Sequence, residues 1–406
     1  MSYTYKETTL DNGLRICAEF SDHAATSSIG YFVKTGARDE RSDLMGVSHF
    51  LEHMMFKGTK TLSAEEVDIA FDNLGAEHNA FTSSEMTAFW SAGMPEVLGD
   101  MNEILANILR PALRQKDFDD EKKVILEEIA MYDDQPFWVL YENAMEEYYG
   151  SSPLGHRVLG TPSSINRMQR DELASYFYER YSADNTVVVM SGDINFDQVV
   201  EQIQRLCGSW ERTGATREYK SIQRFQGKYQ KNIPDLHQHY VFMMMPSVAF
   251  QDTQKYAAAA LSSILGGDDG SRLHWALVDS GLAEAAAANA DASDGFGEQM
   301  AWAVCSPENA DEVAATMQKE MEKLLPSLTE EDVSKVIAKA ATGAAIASER
   351  TSGRMQRLGT MLTTSGEYLS LENELQRIEQ LTLEDLQEVA EAFPWKPEFI
   401  ACTSHT

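Results

Sequence analysis

The first part of the chain has the residue pattern of β-strands. Residues 8–20 place the tripeptide Asp11-Asn12-Gly13 between two β-prone runs, and this combination is typical of a hairpin. Residues 27–36 continue with the pattern of a further strand. The pattern therefore predicts that the chain begins as a sheet.

A helical pattern follows, in which apolar residues recur at intervals of three and four at Leu44, Val47, Leu51 and Met54. It predicts a helix that starts at Ser42 or Asp43 and ends at Lys57, because a glycine follows this cation of the last turn. Ser63 and Glu66 then form a capping box for a second helix. Leu74 and the glycine after it end that helix.

The rest of the chain reads as two halves with the same order of elements. The segments predicted in the first half are strands at 77–83, 85–92 and 185–190, helices at about 96–109, 117–148 and 196–207, and another helix between the connection at 150–164 and the strand at 185–190. Those predicted in the second half are a strand at 238–245, helices at 253–265 and 271–280, further strands after them, and helices at 308–325, 329–348 and 382–392.

The helix at 253–265 takes the place of the first helix of the chain, yet it contains no histidine. We therefore predict a catalytic half at residues 1–212 and a homologous noncatalytic half at residues 233–406. The segment 213–232 is polar and locally basic, which favours a linker between the two halves.

Length, charge and cysteine usage narrow the classes of function. A chain of 406 residues exceeds what one hydrophobic core usually organises, so at least two packed units are expected. The formal net charge of -30 argues against a nucleic-acid partner, because binding phosphates requires a concentrated positive surface. The same charge is also compatible with a role in solubility alone, or with a salty cytoplasm.

Location follows from similar considerations. No apolar run approaches the roughly 20 residues that span a bilayer, and the N-terminus shows no signal or transit peptide, so no membrane association is expected. The four cysteines are far apart and form no C-x-x-C pair, which indicates neither a thiolate zinc site nor a disulfide framework. A reducing cytoplasm is the expected location.

The first helix carries the residues that indicate chemistry. His49 and His53 are four residues apart and share one helix face, so both imidazoles can reach a single metal ion. Glu52 lies at the edge of this face, where it can bond a metal-bound water and act as a general base. Taken alone, the motif is also compatible with two polar histidines on an exposed helix face.

A catalytic zinc normally has three protein ligands and one open position, so a third ligand must come from elsewhere. The helical segment 117–148 offers Glu121 and Glu128, which are seven residues apart and share a face. Spacing alone does not distinguish Glu127 from Glu128.

Several motifs in order resemble the pitrilysin-type inverzincin zinc peptidases. The resemblance is closest to the branch with bacterial processing-type peptidases and the β subunit of mitochondrial processing peptidase, and it spans nearly the whole chain. The segments that carry it are Gly46 to Thr59, Leu10-Asp11-Asn12-Gly13-Leu14, Asn79-Ala80-Phe81-Thr82, Val124 to Ile129, Pro153-Leu154-Gly155, Leu159-Gly160-Thr161 and Gly192-Asp193-Ile194.

The resemblance implies an α+β fold of two homologous α/β halves, each an antiparallel-rich sheet covered by helices. It implies that Zn²⁺ is bound by His49, His53 and Glu128, and that Glu121 supports the site from behind the ligands. It also implies that Asn79, Ala80 and Phe81 lie on a sheet edge to which a peptide substrate adds as an extra strand. An ordinary core-facing edge strand is the alternative for that segment. The implied reaction is endoproteolysis of small or unfolded polypeptides.

The second half departs from the pattern of many active relatives. Val278 and Glu284 stand where those proteins have an arginine and a tyrosine that are thought to assist substrate binding. The departure predicts a dimer, either a homodimer or a heterodimer with a sister subunit that supplies the missing arginine and tyrosine. Alternatively, Arg272 or His274 substitutes for them.

Two other interpretations remain open. His237 and His239 would share one face of a strand and could bind a metal, although no third ligand is evident nearby. The chain could also be a noncatalytic binding or scaffold subunit, resembling the core subunits of the respiratory cytochrome complex. That function predicts decay of the metal motif, whereas His49, Glu52, His53 and Glu128 are all present.

Overall fold

A computed structural model of the protein describes residues 3–219 and 221–404. The chain forms two compact units, each assembled from three segments. The first unit comprises Met1–Met131, His156–Lys220 and Ile346–Tyr368, and the second comprises Tyr132–Gly155, Ser221–Ala345 and Leu369–Thr406. Lys220, one of the basic residues of the predicted linker, lies outside the described residues.

Runs of strands and runs of helices follow one another along the chain. The strands are β1 (Thr4–Thr9), β2 (Arg15–Phe20), β3 (Ser27–Val33), β4 (Glu77–Thr82), β5 (Thr87–Gly93), β6 (Thr186–Gly192), β7 (Gly227–Asn232), β8 (His239–Ser247), β9 (Ala285–Ser293), β10 (Phe296–Cys305) and β11 (Phe399–Ser404). The helices are α1 (Val47–Met55), α2 (Ala64–Leu74), α3 (Leu98–Ile108), α4 (Gln115–Asp133), α5 (Pro136–Tyr149), α6 (Pro162–Arg167), α7 (Arg170–Arg180), α8 (Phe196–Cys207), α9 (Lys255–Gly266), α10 (Ala310–Leu324), α11 (Glu330–Ala347), α12 (Thr351–Ser365), α13 (Leu371–Glu379) and α14 (Leu383–Ala392).

The sheet of the first unit has six strands in the order β1-β2-β6-β3-β5-β4. The predicted hairpin is confirmed, since β1 and β2 pair in antiparallel register from Thr4 with Phe20 to Thr9 with Arg15. Strands β2 and β6 are parallel, and the other neighbours are antiparallel. Among the strands that the structure describes, β4 pairs with β5 alone, so it is an edge strand of this sheet.

Alternate residues of β3 pack on opposite faces of the sheet of the first unit. Ile29, Tyr31 and Val33 belong to the main core together with α1, α3 and α8. Gly30 faces the opposite way, where a Cβ would lie 2.7 Å from the sulfur of Met355 in α12. Helix α12 thus covers the second face of this sheet, although its sequence lies in the second half of the chain.

The sheet of the second unit has five strands in the order β7-β11-β8-β10-β9. Strand β8 alternates in the same way as β3. Val241 and Met243 pack in a core with α9, whereas Phe242 and Met244 pack in a separate cluster with Leu140 of α5. Each unit therefore incorporates one helix from the other half of the sequence: α12 belongs to the first unit and α5 to the second. The predicted ranges 1–212 and 233–406 are contiguous in sequence and do not include this exchange.

Other differences from the predicted elements have local causes. The single predicted helix 117–148 is two helices, because Pro136 lacks the N–H that a continuous helix requires. The first helix begins at Val47 instead of Ser42 or Asp43, since Gly46 adopts φ +92° and interrupts the helical backbone. The predicted helix 271–280 contains a π-helical turn at His274–Val278.

The predicted linker 213–232 ends in a strand. Its last six residues are β7, which pairs in parallel with β11. Three further elements, β11, α12 and α13, have no counterpart among the predicted segments. Within residues 3–219 and 221–404, no helix is sufficiently long and apolar to cross a membrane.

Candidate metal centre

The start of α1 is held by the buried carboxyl group of Glu40. Glu40 accepts hydrogen bonds from the backbone N–H groups of Gly46 at 2.7 Å and Ser48 at 2.8 Å. It takes the place of a side-chain cap, since the N-cap residue is Gly46 itself. A Cβ at Gly46 would lie 2.7 Å from the carbonyl oxygen of Leu159, so glycine is required there for both space and φ. These contacts fix the beginning of the helix that carries both histidines.

The structure brings three predicted ligands together. His49 and His53 lie one turn apart on α1, with ring centroids 4.6 Å apart. Glu128 of α4 places Oε2 3.7 Å from His49 Nε2 and 3.6 Å from His53 Nε2. The donor atoms of the three residues all lie within 4.8 Å of one another, which suits one metal ion.

The geometry also distinguishes the neighbouring glutamates, which spacing alone could not do. Glu127 is exposed, whereas Glu128 is half-buried and belongs to the donor group. His237 is exposed and precedes β8, so it does not share a strand with His239. Among the residues that the structure describes, the group of His49, His53 and Glu128 is the only such set of three donors.

Glu121 of α4 supports the cluster from behind. Its buried carboxylate accepts a hydrogen bond from His53 Nδ1 at 2.8 Å and pairs with Lys57 Nζ at 2.6 Å. Because a carboxylate only accepts, Nδ1 of His53 carries a proton, and Nε2 is the ring nitrogen that faces Glu128. Burial alone would raise the pKa of Glu121, but its bonds with His53 and Lys57 outweigh burial and lower it.

The two histidines have different electrostatic surroundings. Burial and the neighbouring His53 lower the pKa of His49 to about 3, so its ring is neutral near pH 7 and can donate a lone pair. Burial would also lower the pKa of His53, but the hydrogen bond and charge of Glu121, with the charges of Glu128 and Glu52, outweigh it and raise that pKa.

A metal ion fits the donors that the cluster presents. His49 is 7% exposed, and its Nδ1 has no hydrogen-bond partner within the described residues. Its Nε2 is too far from Glu128 for a hydrogen bond but suitably placed to share an ion with it. Two imidazoles and one carboxylate form a donor set typical of catalytic zinc.

Glu52 lies beside the donor group without belonging to it. Its Oε2 accepts a hydrogen bond from the hydroxyl of Thr82 at 2.6 Å. Burial raises the pKa of Glu52, while the Thr82 bond and the charge of His53 oppose that rise. Together with His53, Phe56, Lys57 and Glu121, it lines an open pocket next to the cluster.

The residues predicted to bind substrate lie on the edge strand β4. Asn79 is exposed, and Ala80 and Phe81 are half-buried. Helix α1 packs against β4, which places this strand next to the helix that carries the histidines. The sequence indicated no role in the site for Glu40, Lys57 or Thr82, because their contacts join segments whose proximity only the fold creates.

The departures in the second half have defined positions. Val278 ends the π-helical turn, and exposed Glu284 accepts a hydrogen bond from Gln238 Nε2 at 2.5 Å. Arg272 donates to Ser327 Oγ at 2.6 Å and pairs with Asp332 at 3.4 Å. The guanidinium of Arg272 is therefore engaged within its own unit.

Two family models match the chain in succession. The one described as Insulinase (Peptidase family M16) matches residues 15–162. The one described as Peptidase M16 inactive domain matches residues 167–340. All members of the donor cluster, as well as Glu52, lie within the first range.

Individual proteins agree with this assignment. A protein named uncharacterized zinc protease from Mycobacterium bovis is 31% identical over 394 residues, covering 95% of this chain and 90% of that protein. The mitochondrial-processing peptidase subunit beta of Lentinula edodes is 25% identical over 411 residues, covering 96% and 88%. The crystal structure of a protease from Helicobacter pylori matches in fold with a TM-score of 0.92 at 22% identity, covering 99% of this chain and 100% of that one. The predicted family and the α+β fold of two homologous halves are confirmed, and the chain belongs to peptidase family M16.

Proposed function

We propose that the protein is a zinc-dependent endopeptidase that hydrolyses small or unfolded peptides. The observation that carries this proposal is the convergence of His49, His53 and Glu128 within 4.8 Å, with Glu52 beside them. The relatives named zinc proteases support the metal and the class of reaction at the level of the family.

In this proposal His49, His53 and Glu128 hold the zinc. When bound, zinc polarises a carbonyl group and makes water a stronger acid. Glu121 keeps His53 in the tautomer that presents Nε2, and it does so with a carboxylate that Lys57 neutralises in part.

Glu52 acts as the general base in this proposal. It takes a proton from the attacking water and delivers a proton to the amine that leaves. Burial raises the pKa of Glu52 above that of an exposed glutamate, which makes its acid form more accessible for the second transfer. The same carboxylate therefore serves both steps without being a metal ligand.

The edge strand β4 is the proposed site of peptide binding. A peptide that adds alongside Asn79, Ala80 and Phe81 gains main-chain hydrogen bonds from the unpaired edge. Such recognition requires an extended, unfolded segment, because a folded segment has its own backbone groups already paired. The proposed substrate class follows from this requirement.

We further propose that the protein works as a dimer in a bacterial cytoplasm. The four cysteines are free, as a reducing compartment would keep them. Val278 and Glu284 favour a partner that supplies an arginine and a tyrosine. The alternative function as a noncatalytic scaffold is disfavoured, since a scaffold does not require two histidines and a glutamate to converge with a supporting carboxylate.

The substitution Glu52→Gln tests the proposed function. It keeps the size of the side chain and removes the base, so bound zinc should stay near that of the wild type. Turnover of a mixed peptide library should fall by about 10²- to 10⁴-fold. Wild-type protein treated with a chelator is the control for metal dependence. Undiminished turnover by Glu52→Gln, or turnover that the chelator does not affect, would contradict the proposal.

A further inference from the structure

We propose that Thr82 is a positioning residue for Glu52, which ties the general base to the strand that receives the peptide. This inference rests on the proposed function of the metal centre. Thr82 is the last residue of β4 and follows directly after Asn79, Ala80 and Phe81.

The contact between the two side chains is short and specific. Thr82 Oγ1 lies 2.6 Å from Glu52 Oε2, and it is the hydrogen-bond donor that the described residues offer to this carboxylate. Hydrogen bonds from a hydroxyl to an ionised carboxylate are short and about twice as strong as those between neutral groups. The bond therefore limits the rotation of the Glu52 side chain.

The neighbouring hydroxyl group of Thr87 does not compete for the hydrogen that Thr82 donates to Glu52. Thr87 stands directly opposite Thr82 in the ladder of β4 and β5, with the two Oγ1 atoms 3.5 Å apart. Thr87 donates its single hydroxyl hydrogen to the carbonyl oxygen of Thr35 at 3.0 Å. Since Thr82 also has one hydrogen, and Glu52 is the closer and stronger acceptor, that hydrogen points to Glu52.

The location of Thr82 gives the bond a consequence for catalysis. A general base must lie within hydrogen-bond reach of the proton it takes, and misplacement by 1 Å can cost about 10²-fold in rate. The end of β4 therefore helps to set where the Glu52 carboxylate stands. A peptide that pairs with β4 orders this edge strand and so keeps the base in place while the substrate is bound.

Three variants test the role of Thr82. Thr82→Val removes the hydroxyl at nearly constant shape, and Thr82→Ser retains it. Thr186→Val is the matched control, because Thr186 is a buried threonine of β6 in the same sheet and donates to Ser182 O at 2.8 Å. Bound zinc, kcat and KM are measured for each, together with crystal structures of the wild type and Thr82→Val.

We expect kcat of Thr82→Val to fall by about 10- to 100-fold, with KM within about threefold of the wild type and bound zinc unchanged. Thr82→Ser should recover most of the rate, and Thr186→Val should retain kcat. The crystal structure of Thr82→Val should show the Glu52 carboxylate moved from its wild-type position.

Wild-type kcat in Thr82→Val, or an equal fall in Thr186→Val, would overturn the inference. An inactive wild type would refute the proposed function instead. In that case the two crystal structures still decide the inference, because an unmoved Glu52 in Thr82→Val overturns it and a displaced one supports it.

Discussion

The role of Glu121 leads to a prediction about metal affinity. In Glu121→Gln the side chain keeps its size but loses its charge, while its two partners remain. If the amide oxygen accepts from His53 Nδ1, the amide nitrogen faces Lys57 Nζ, and two donors then oppose each other. If the amide turns over, Lys57 is satisfied and His53 Nδ1 faces a donor. One of the two bonds is lost in either orientation.

The expected changes in zinc affinity and in folding stability depend on which of the two hydrogen bonds is lost. Loss of a group that holds a ligand histidine typically weakens metal binding by about 10- to 100-fold, or about 1.4–2.8 kcal/mol. The Lys57 side chain is 36% exposed, so water compensates much of the lost ion pair and folding stability should fall by no more than about 1 kcal/mol. Zinc affinity should therefore change much more than stability.

Competition with a chromophoric chelator measures the zinc dissociation constant, and thermal unfolding of the metal-free proteins measures stability. Glu127→Gln is the matched control, because Glu127 is an exposed residue of the same helix outside the donor group. It should bind zinc as the wild type does. Zinc affinity within about twofold of the wild type in Glu121→Gln, or a loss of folding without a loss of affinity, would refute the reasoning.

Two further predictions concern the start of α1 and the second half. Burial raises the pKa of Glu40 to about 8, so the folded protein keeps a proton that the unfolded chain releases above about pH 4.5, and stability should fall as the pH rises from there to about 8. Glu40→Gln should show a smaller fall in melting temperature between about pH 6 and pH 8.5 than the wild type, and parallel curves would exclude Glu40 as the cause. If a partner normally supplies the arginine and tyrosine, Val278→Arg combined with Glu284→Tyr should raise peptide turnover by the isolated chain. No gain, alongside rapid turnover by the unmodified protein, would contradict the missing-residue idea.

The sequence predicted most elements of the first unit because their signals are local. The turn at Asp11-Asn12-Gly13 and the capping box of Ser63 with Glu66 each depend on a few adjacent residues, and both occur as predicted. The same local reasoning missed the break before Pro136. The helical pattern continues across that break, so the pattern alone predicts one helix.

The exchange of α5 and α12 between the units could not be predicted from local patterns. Strands such as β3 and β8 bury side chains on both faces, so each sheet needs a second cover, and the sequence does not say which helix provides it. In the candidate metal centre, too, only part of the residue set could be predicted from local patterns. Spacing on one helix indicated His49 and His53, whereas the choice of Glu128 required the resemblance to a family and then the geometry.

Titration of the metal-free protein with zinc, while peptide turnover is recorded, tests the central claim most directly. The account predicts that turnover is absent without metal, rises in proportion to added zinc and reaches its plateau at about one equivalent per chain, as a single three-ligand site requires. Turnover that is already complete without metal, or that never appears when zinc is bound, would contradict it.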